Sequence, residues 1–121
     1  MPPLFAVCAA DAGVTALLGT DPVRFFPFGK VPQDTAKPYA VHQVLNGIPE
    51  NYLDEPPDTD EWNIQIDIYG TSDTSVIAVL NAMRRALEPH CYIERLGGTS
   101  VESSTKLETT SFDVSWYYPT R

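Results

Sequence analysis

The sequence predicts an α+β domain: an antiparallel or mixed sheet of four to five strands with two to three helices packed on one face. Residues 62–69 alternate strictly, with Trp62, Ile64, Ile66 and Ile68 on one side and Asn63, Gln65, Asp67 and Tyr69 on the other, the period-2 mark of a half-buried strand. Directly after Gly70, Val76, Val79, Leu80, Met83 and Leu87 recur at helical spacing and form a continuous apolar stripe. Laid end to end, the main segments run helix, strand, strand, helix, strand, strand, and that order argues for α+β. Seating the Ile stripe beneath the helical stripe accounts for most of the expected core.

The remaining elements follow from local chemistry. Pro2 and Pro3 precede LFAVCAADAGVTALLG, where Leu4, Val7 and Cys8 share a helical face and Val14, Leu17 and Leu18 follow at similar spacing. Asp11 and Gly13 weaken the middle, which leaves one helix with a soft break or two short helices, ending at Gly19. Pro22 and Pro27 bracket a short edge strand expected around Val23 to Phe26. The turn-rich stretch 27–38 is expected as an exposed loop. Tyr39 to Asn46 reads as a strand, with Tyr39, Val41, Gln43 and Leu45 on one side and Ala40, His42, Val44 and Asn46 on the other. Gly47 to Glu61 has loop composition, so this strand and the 62–69 strand are expected as an antiparallel pair with a long acidic connection. Thr71 or Ser72 caps the following helix, Asp73 suits its first turn, and Pro89 stops it. HCYIERLGG and KLETTSFDVSWYYP read as two further strands, joined by a Gly/Ser/Thr loop near 97–107.

At 121 residues the chain makes one domain, spanning 1–121. Sixteen acidic residues against eight basic ones give a net charge of −8, which argues against gripping a phosphate backbone. No apolar run approaches the roughly 20 residues of a membrane span. The N-terminus lacks the basic region of a secretory signal, and the chain is expected in the cytosol. Cys8 and Cys91 form no CxxC pair and read as free thiols in a reducing compartment.

Convergent chemistry is hard to find. Glu50, Asp54, Glu55, Asp58, Asp60 and Glu61 supply enough oxygens for a hard cation, but without EF-hand spacing and with two prolines interrupting them. A solvated loop tip is the expected state of this run. His42, His90 and Cys91 have the ligand types for zinc, yet the last two are adjacent and point to opposite faces of a strand. Nucleophile-elbow, phosphate-loop and dinucleotide motifs are absent. No catalytic, cofactor or metal site is expected. The candidate contact residues are Asp54, Glu55, Asp58, Asp60 and Glu61, the paired Arg84 and Arg85, and the aromatic end Trp116, Tyr117 and Tyr118. The bland reading of that end, with Trp116 in the core and one tyrosine covering a sheet edge, stays open beside it.

Several segments together resemble a known family. LLGTDPVRFFPFGKVPQDTAKPYAVHQVLNG, a helix ending in LLG that leads to a Pro-Tyr strand, is followed by WNIQIDIYGTSDTSVIAVLNAMRRAL, a QIDIY-type strand entering a helix with a paired-Arg end. The combination is similar to the small tail terminator, or tail completion, proteins of long-tailed phages and prophages, over roughly residues 4–88. The resemblance implies a structural protein without catalytic activity or cofactor, at the tail–neck junction of the virion and assembled in the host cytoplasm. It implies a homo-oligomeric ring, typically a hexamer, that caps the tail tube, ends its polymerisation and offers the head-joining surface. Partners would be the tail tube protein and the head-to-tail connector, with genomic DNA passing through unbound and no membrane involved. The alternatives are a neck protein of similar size or a small intracellular protein-binding module.

Overall fold

A computed structural model describes residues 1–53 and 55–120. The elements in chain order are α1 (Leu4–Ala9), α2 (Ala12–Leu18), β1 (Phe25–Pro27), β2 (Tyr39–Pro49), β3 (Thr59–Gly70), α3 (Asp73–Leu87), β4 (Tyr92–Leu96), β5 (Ser100–Val101) and β6 (Glu108–Pro119). The break in the first helical stretch falls at Asp11, whose extended backbone and side-chain carboxylate cap α2 by accepting the Val14 N–H at 3.0 Å. Ser72, not Thr71, caps α3: its hydroxyl accepts the Ser75 N–H at 3.2 Å, and Asp73 follows in the first turn.

The sheet is mixed, open and six-stranded, in the order β1-β2-β3-β6-β4, with β5 also pairing β6. β1 runs parallel to β2 and every other pairing is antiparallel. Ser100 and Val101 supply the strand beyond the expected four to five, pairing with Thr109 and Glu108 inside the stretch read as a Ser/Thr loop. The edge strand is shifted to Phe25–Pro27. The acidic connection is shorter than its composition suggests, because β2 continues to Pro49 and β3 begins at Thr59, opposite Pro119. Ladder bonds on both sides of β3 carry the strand past the end of the apolar alternation, so Asp60 and Glu61 are strand residues. The expected alternation of β2 holds to Val44 and then fails at a bulge between Val44 and Asn46. That insertion turns Asn46 to the face of Gln43, where its side-chain oxygen accepts from Asn63 Nδ2 at 2.7 Å.

α3 lies across β3 and β6, and α1 and α2 lie against α3, so the helices form one layer. Beneath them Ile64, Ile66, Ile68, Phe112 and Val114 meet Val76, Val79, Met83 and Leu87, all buried. Each such side chain contributes about 1.5–3 kcal/mol by leaving water. α1 and α2 add Leu4, Cys8, Val14 and Leu18. The other sheet face is built from the alternate residues: Gln43, Gln65, Asp67, Ser111, Asp113 and Ser115.

Candidate interaction surface

Towards the acidic connection β2, β3 and β6 continue side by side as a three-stranded arm, whose first row still packs on the core. Its rows run Gly47, Trp62, Trp116 and then Ile48, Glu61, Tyr117 and Pro49, Asp60, Tyr118. Leu45, Ile48, Tyr52 and Tyr117 are exposed along it, and Leu53 is wholly exposed. The Trp62 ring lies over Gly47, where an added Cβ would sit 2.9 Å from it, so the close strand contact requires glycine.

The acidic residues divide between the connection and the arm. Asp54 lies outside the described residues, and Glu55 is exposed in the connection. Asp58 accepts hydrogen bonds from the Tyr52 hydroxyl at 2.8 Å and from the Thr59 hydroxyl at 3.2 Å. The bond to Asp58 is the main reason the Tyr52 phenol is pushed above its ordinary pKa. Glu61 accepts from the buried Ser115 hydroxyl at 2.7 Å and lies directly across the ladder from Tyr117. Its charge is the leading cause that raises the Tyr117 pKa. No group of three or more potential metal ligands occurs among the described residues.

The helix-free face carries Glu61, Asp67 and Asp113 on adjacent strands. Arg95 on β4 answers the last of them, its guanidinium donating to Asp113 at 2.9 Å and to the Ser111 hydroxyl at 3.0 Å. That pair is exposed and contributes at most about 1 kcal/mol. At the other end of the face Tyr39 and Tyr69 stack with ring centroids 5.2 Å apart.

The remaining candidates separate by environment. Arg84 pairs with Glu88 at 3.1 Å one turn on, and Arg85 is exposed in the last turn of α3. Trp116 is only 4% exposed, stacks on His90 and belongs to the core; it does not present itself at the surface. Tyr118 is half-buried against that core, and Tyr117 alone of the three is exposed. Tyr92, which the sequence reading passed over, meets Tyr117 edge-on at 6.1 Å and is 66% exposed. Its signal was available in the alternation of YIERL, but the cross-strand neighbour was not. His42 and His90 occupy different contacts, the first against Phe25 and the second against Trp116. Both cysteines are free; burial pushes the Cys8 thiol up to about 12 and the Cys91 thiol up to about 11, so neither is a nucleophile near neutral pH.

No helix among the described residues is long and apolar enough to cross a membrane. The described surface thus offers an acidic sheet face, a three-stranded arm with exposed apolar side chains, and an aromatic corner. A search among curated proteins finds no match. Comparison with known families, in contrast, aligns residues 2–118 with the tail completion protein gp17 family. With nearly its whole length matched, the chain belongs to this family of structural, non-enzymatic phage tail proteins.

Proposed function

We propose that the protein forms a homo-oligomeric ring, a hexamer, that caps the finished tail tube, ends its polymerisation and offers the surface to which the head joins. Its partners are then the tail tube protein and the head-to-tail connector, and genomic DNA passes through the ring without being bound. The observation that carries the reading is the distribution of charge on a family member of this shape. The helix-free sheet face holds Glu61, Asp67 and Asp113, with Arg95 bound to the last. A wall of that kind repels phosphate and keeps a DNA passage slippery. The open sheet supports ring formation too, because it has two unlike edges, and joining unlike surfaces head to tail is what closes a ring.

Electron microscopy of the purified protein, and of tails carrying it, tests the proposal. Annular particles with a central hole, seated at the end of the tube, are expected. Size exclusion with light scattering gives the subunit number. A strict monomer at high concentration, together with tails that carry no terminal ring of this chain, would refute it. An assembled ring whose hole is lined by neutral or basic groups would refute the charge argument alone.

A further inference from the structure

The two edges of the sheet differ in charge, with lysines beside the β1 turn and glutamates along the β4 side. On the β1 side, residues 27–30 form a tight turn: the Lys30 N–H donates to the Pro27 carbonyl at 3.0 Å, and Gly29 takes φ 78°, the requirement of a type II turn at its third position. The Phe28 N–H donates to the His42 carbonyl at 2.9 Å, which ties the turn to β2. This rigid turn holds Phe28 in solvent, 64% exposed, with Lys30 beside it. Within residues 28–38 Lys30 and Lys37 face only Asp34 as a counter-charge.

On the β4 side, two adjoining grooves of about 370 and 460 Å³ share Tyr92 and Tyr117 as walls. Glu88, which Arg84 pairs at 3.1 Å, and Glu94 line them, and no lysine or arginine is among the lining residues. Glu61 stands across the ladder from Tyr117. The residues that follow the C-terminal end of α3, Glu88 to His90, line the first groove, and that end of a helix favours a cation. An aromatic, acidic groove of this composition takes an aromatic ring flanked by an ammonium group: the ring packs edge-to-face, and the cation meets tyrosine faces and carboxylates.

We propose that the Pro27–Lys30 turn of one subunit docks into the Tyr92–Tyr117 groove of a second copy of this chain, Phe28 packed against the tyrosine pair and Lys30 against Glu94. The inference rests on the ring reading above and names the contact that closes it. Because donor and acceptor surfaces lie on opposite sheet edges, the contact is heterologous and propagates around a ring. The turn is level with the row His42, Ile66, Phe112, Leu96, whereas the groove begins at the row of Asn63, Ser115 and Tyr92. Ile66 and Asn63 are three residues apart on β3, so neighbouring subunits are staggered by roughly 10 Å along the strands.

Sedimentation of the full chain, with electron microscopy, tests the contact. Phe28→Ser and Tyr92→Ala each should weaken association roughly thirtyfold or more, as loss of a central aromatic anchor does, and leave the circular dichroism and the Tm of the dissociated subunit unchanged. Lys30→Glu should also disrupt rings, and Lys30→Glu combined with Glu94→Lys should restore them. In a Lys30→Cys/Glu94→Cys double variant on a Cys91→Ser background, which keeps both aromatic anchors, oxidation should give a ladder of cross-linked multimers that either single variant lacks. Rings that persist in Phe28→Ser and Tyr92→Ala, or that the charge exchange fails to restore, overturn this contact and leave the ring reading standing. A wild-type chain that forms no ring alone or on tails overturns both.

Discussion

Replacing Trp116 by alanine tests the sharpest division the structure draws, between two aromatics adjacent in sequence. Trp116 is 4% exposed, stacked on His90 at 5.8 Å and set beside Trp62 across the ladder. A buried aromatic ring removes about 150–250 Å² from water, which at about 25 cal/mol per Å² comes to roughly 4–6 kcal/mol. An extended-chain reference overstates that area, and the expected loss is about 3–5 kcal/mol, in line with other aromatic-to-alanine truncations in cores. Tyr117 is 46% exposed, and Tyr117→Ser should change monomer stability by less than about 0.5 kcal/mol. Urea unfolding followed by circular dichroism at 222 nm measures both without depending on the tryptophan signal. For a domain of this size the Trp116→Ala loss corresponds to a fall in Tm of about 10–20 °C. A loss below about 1 kcal/mol at an unchanged m-value would refute the assignment of Trp116 to the core and return it to the surface.

Three further outcomes are expected. Gly47→Ala sets a Cβ within 2.9 Å of the Trp62 ring and should cost about 1–3 kcal/mol, with an altered near-ultraviolet circular dichroism band from the displaced indole; an unchanged band and stability would show that the arm gives way freely. Ser72→Ala removes the α3 cap and should cost about 1 kcal/mol, and Ser72→Asp should recover it beside the helix N-terminus, as thermal melts can check. Both cysteine thiols titrate higher in the folded chain than their ordinary 9.0, Cys8 at about 12 and Cys91 at about 11, chiefly through burial. Their contribution is therefore complete below pH 9 and is lost as pH rises towards 11 to 12, where the unfolded chain releases protons the folded chain retains. Stability that stays level from pH 8 to 11 in a variant series lacking other titrating groups would contradict the burial of these thiols.

Where one residue type and one spacing suffice, the sequence by itself determined the result. The strict alternation of 62–69 specifies which residues of β3 are buried, because a strand has a period of two and a one-residue slip would drive Asn63, Gln65 and Asp67 into the core. The stripe Val76, Val79, Leu80, Met83 and Leu87 specifies the buried face of α3 for the same kind of reason, and Thr71 or Ser72 at one end and Pro89 at the other bound that helix through local hydrogen bonds and sterics, while the structure chose Ser72 and made Asp11 the cap of α2. Family membership was legible too, in PYAVHQ and QIDIYG standing in that order and at that spacing in a chain of this length. Only the tertiary structure decided what depends on neighbours distant in sequence. The bulge after Val44 reverses the face of Asn46, and pairing with β6 extends β3 back to Thr59, so that Asp60 and Glu61 leave the expected loop. β5 exists because Glu108 and Thr109 offer a partner, although Ser100 and Val101 have no strand signal of their own. Trp116 and Tyr117 look alike in a sequence, and they part company because one points beneath the helix layer, onto His90, while the other turns with Glu61 to the open face. The aromatic corner likewise joins Tyr92 to Tyr117 across 25 residues of chain. Strand pairing brings such groups together through backbone hydrogen bonds that every residue but proline can make, and side-chain composition carries little record of which pairing the chain adopts.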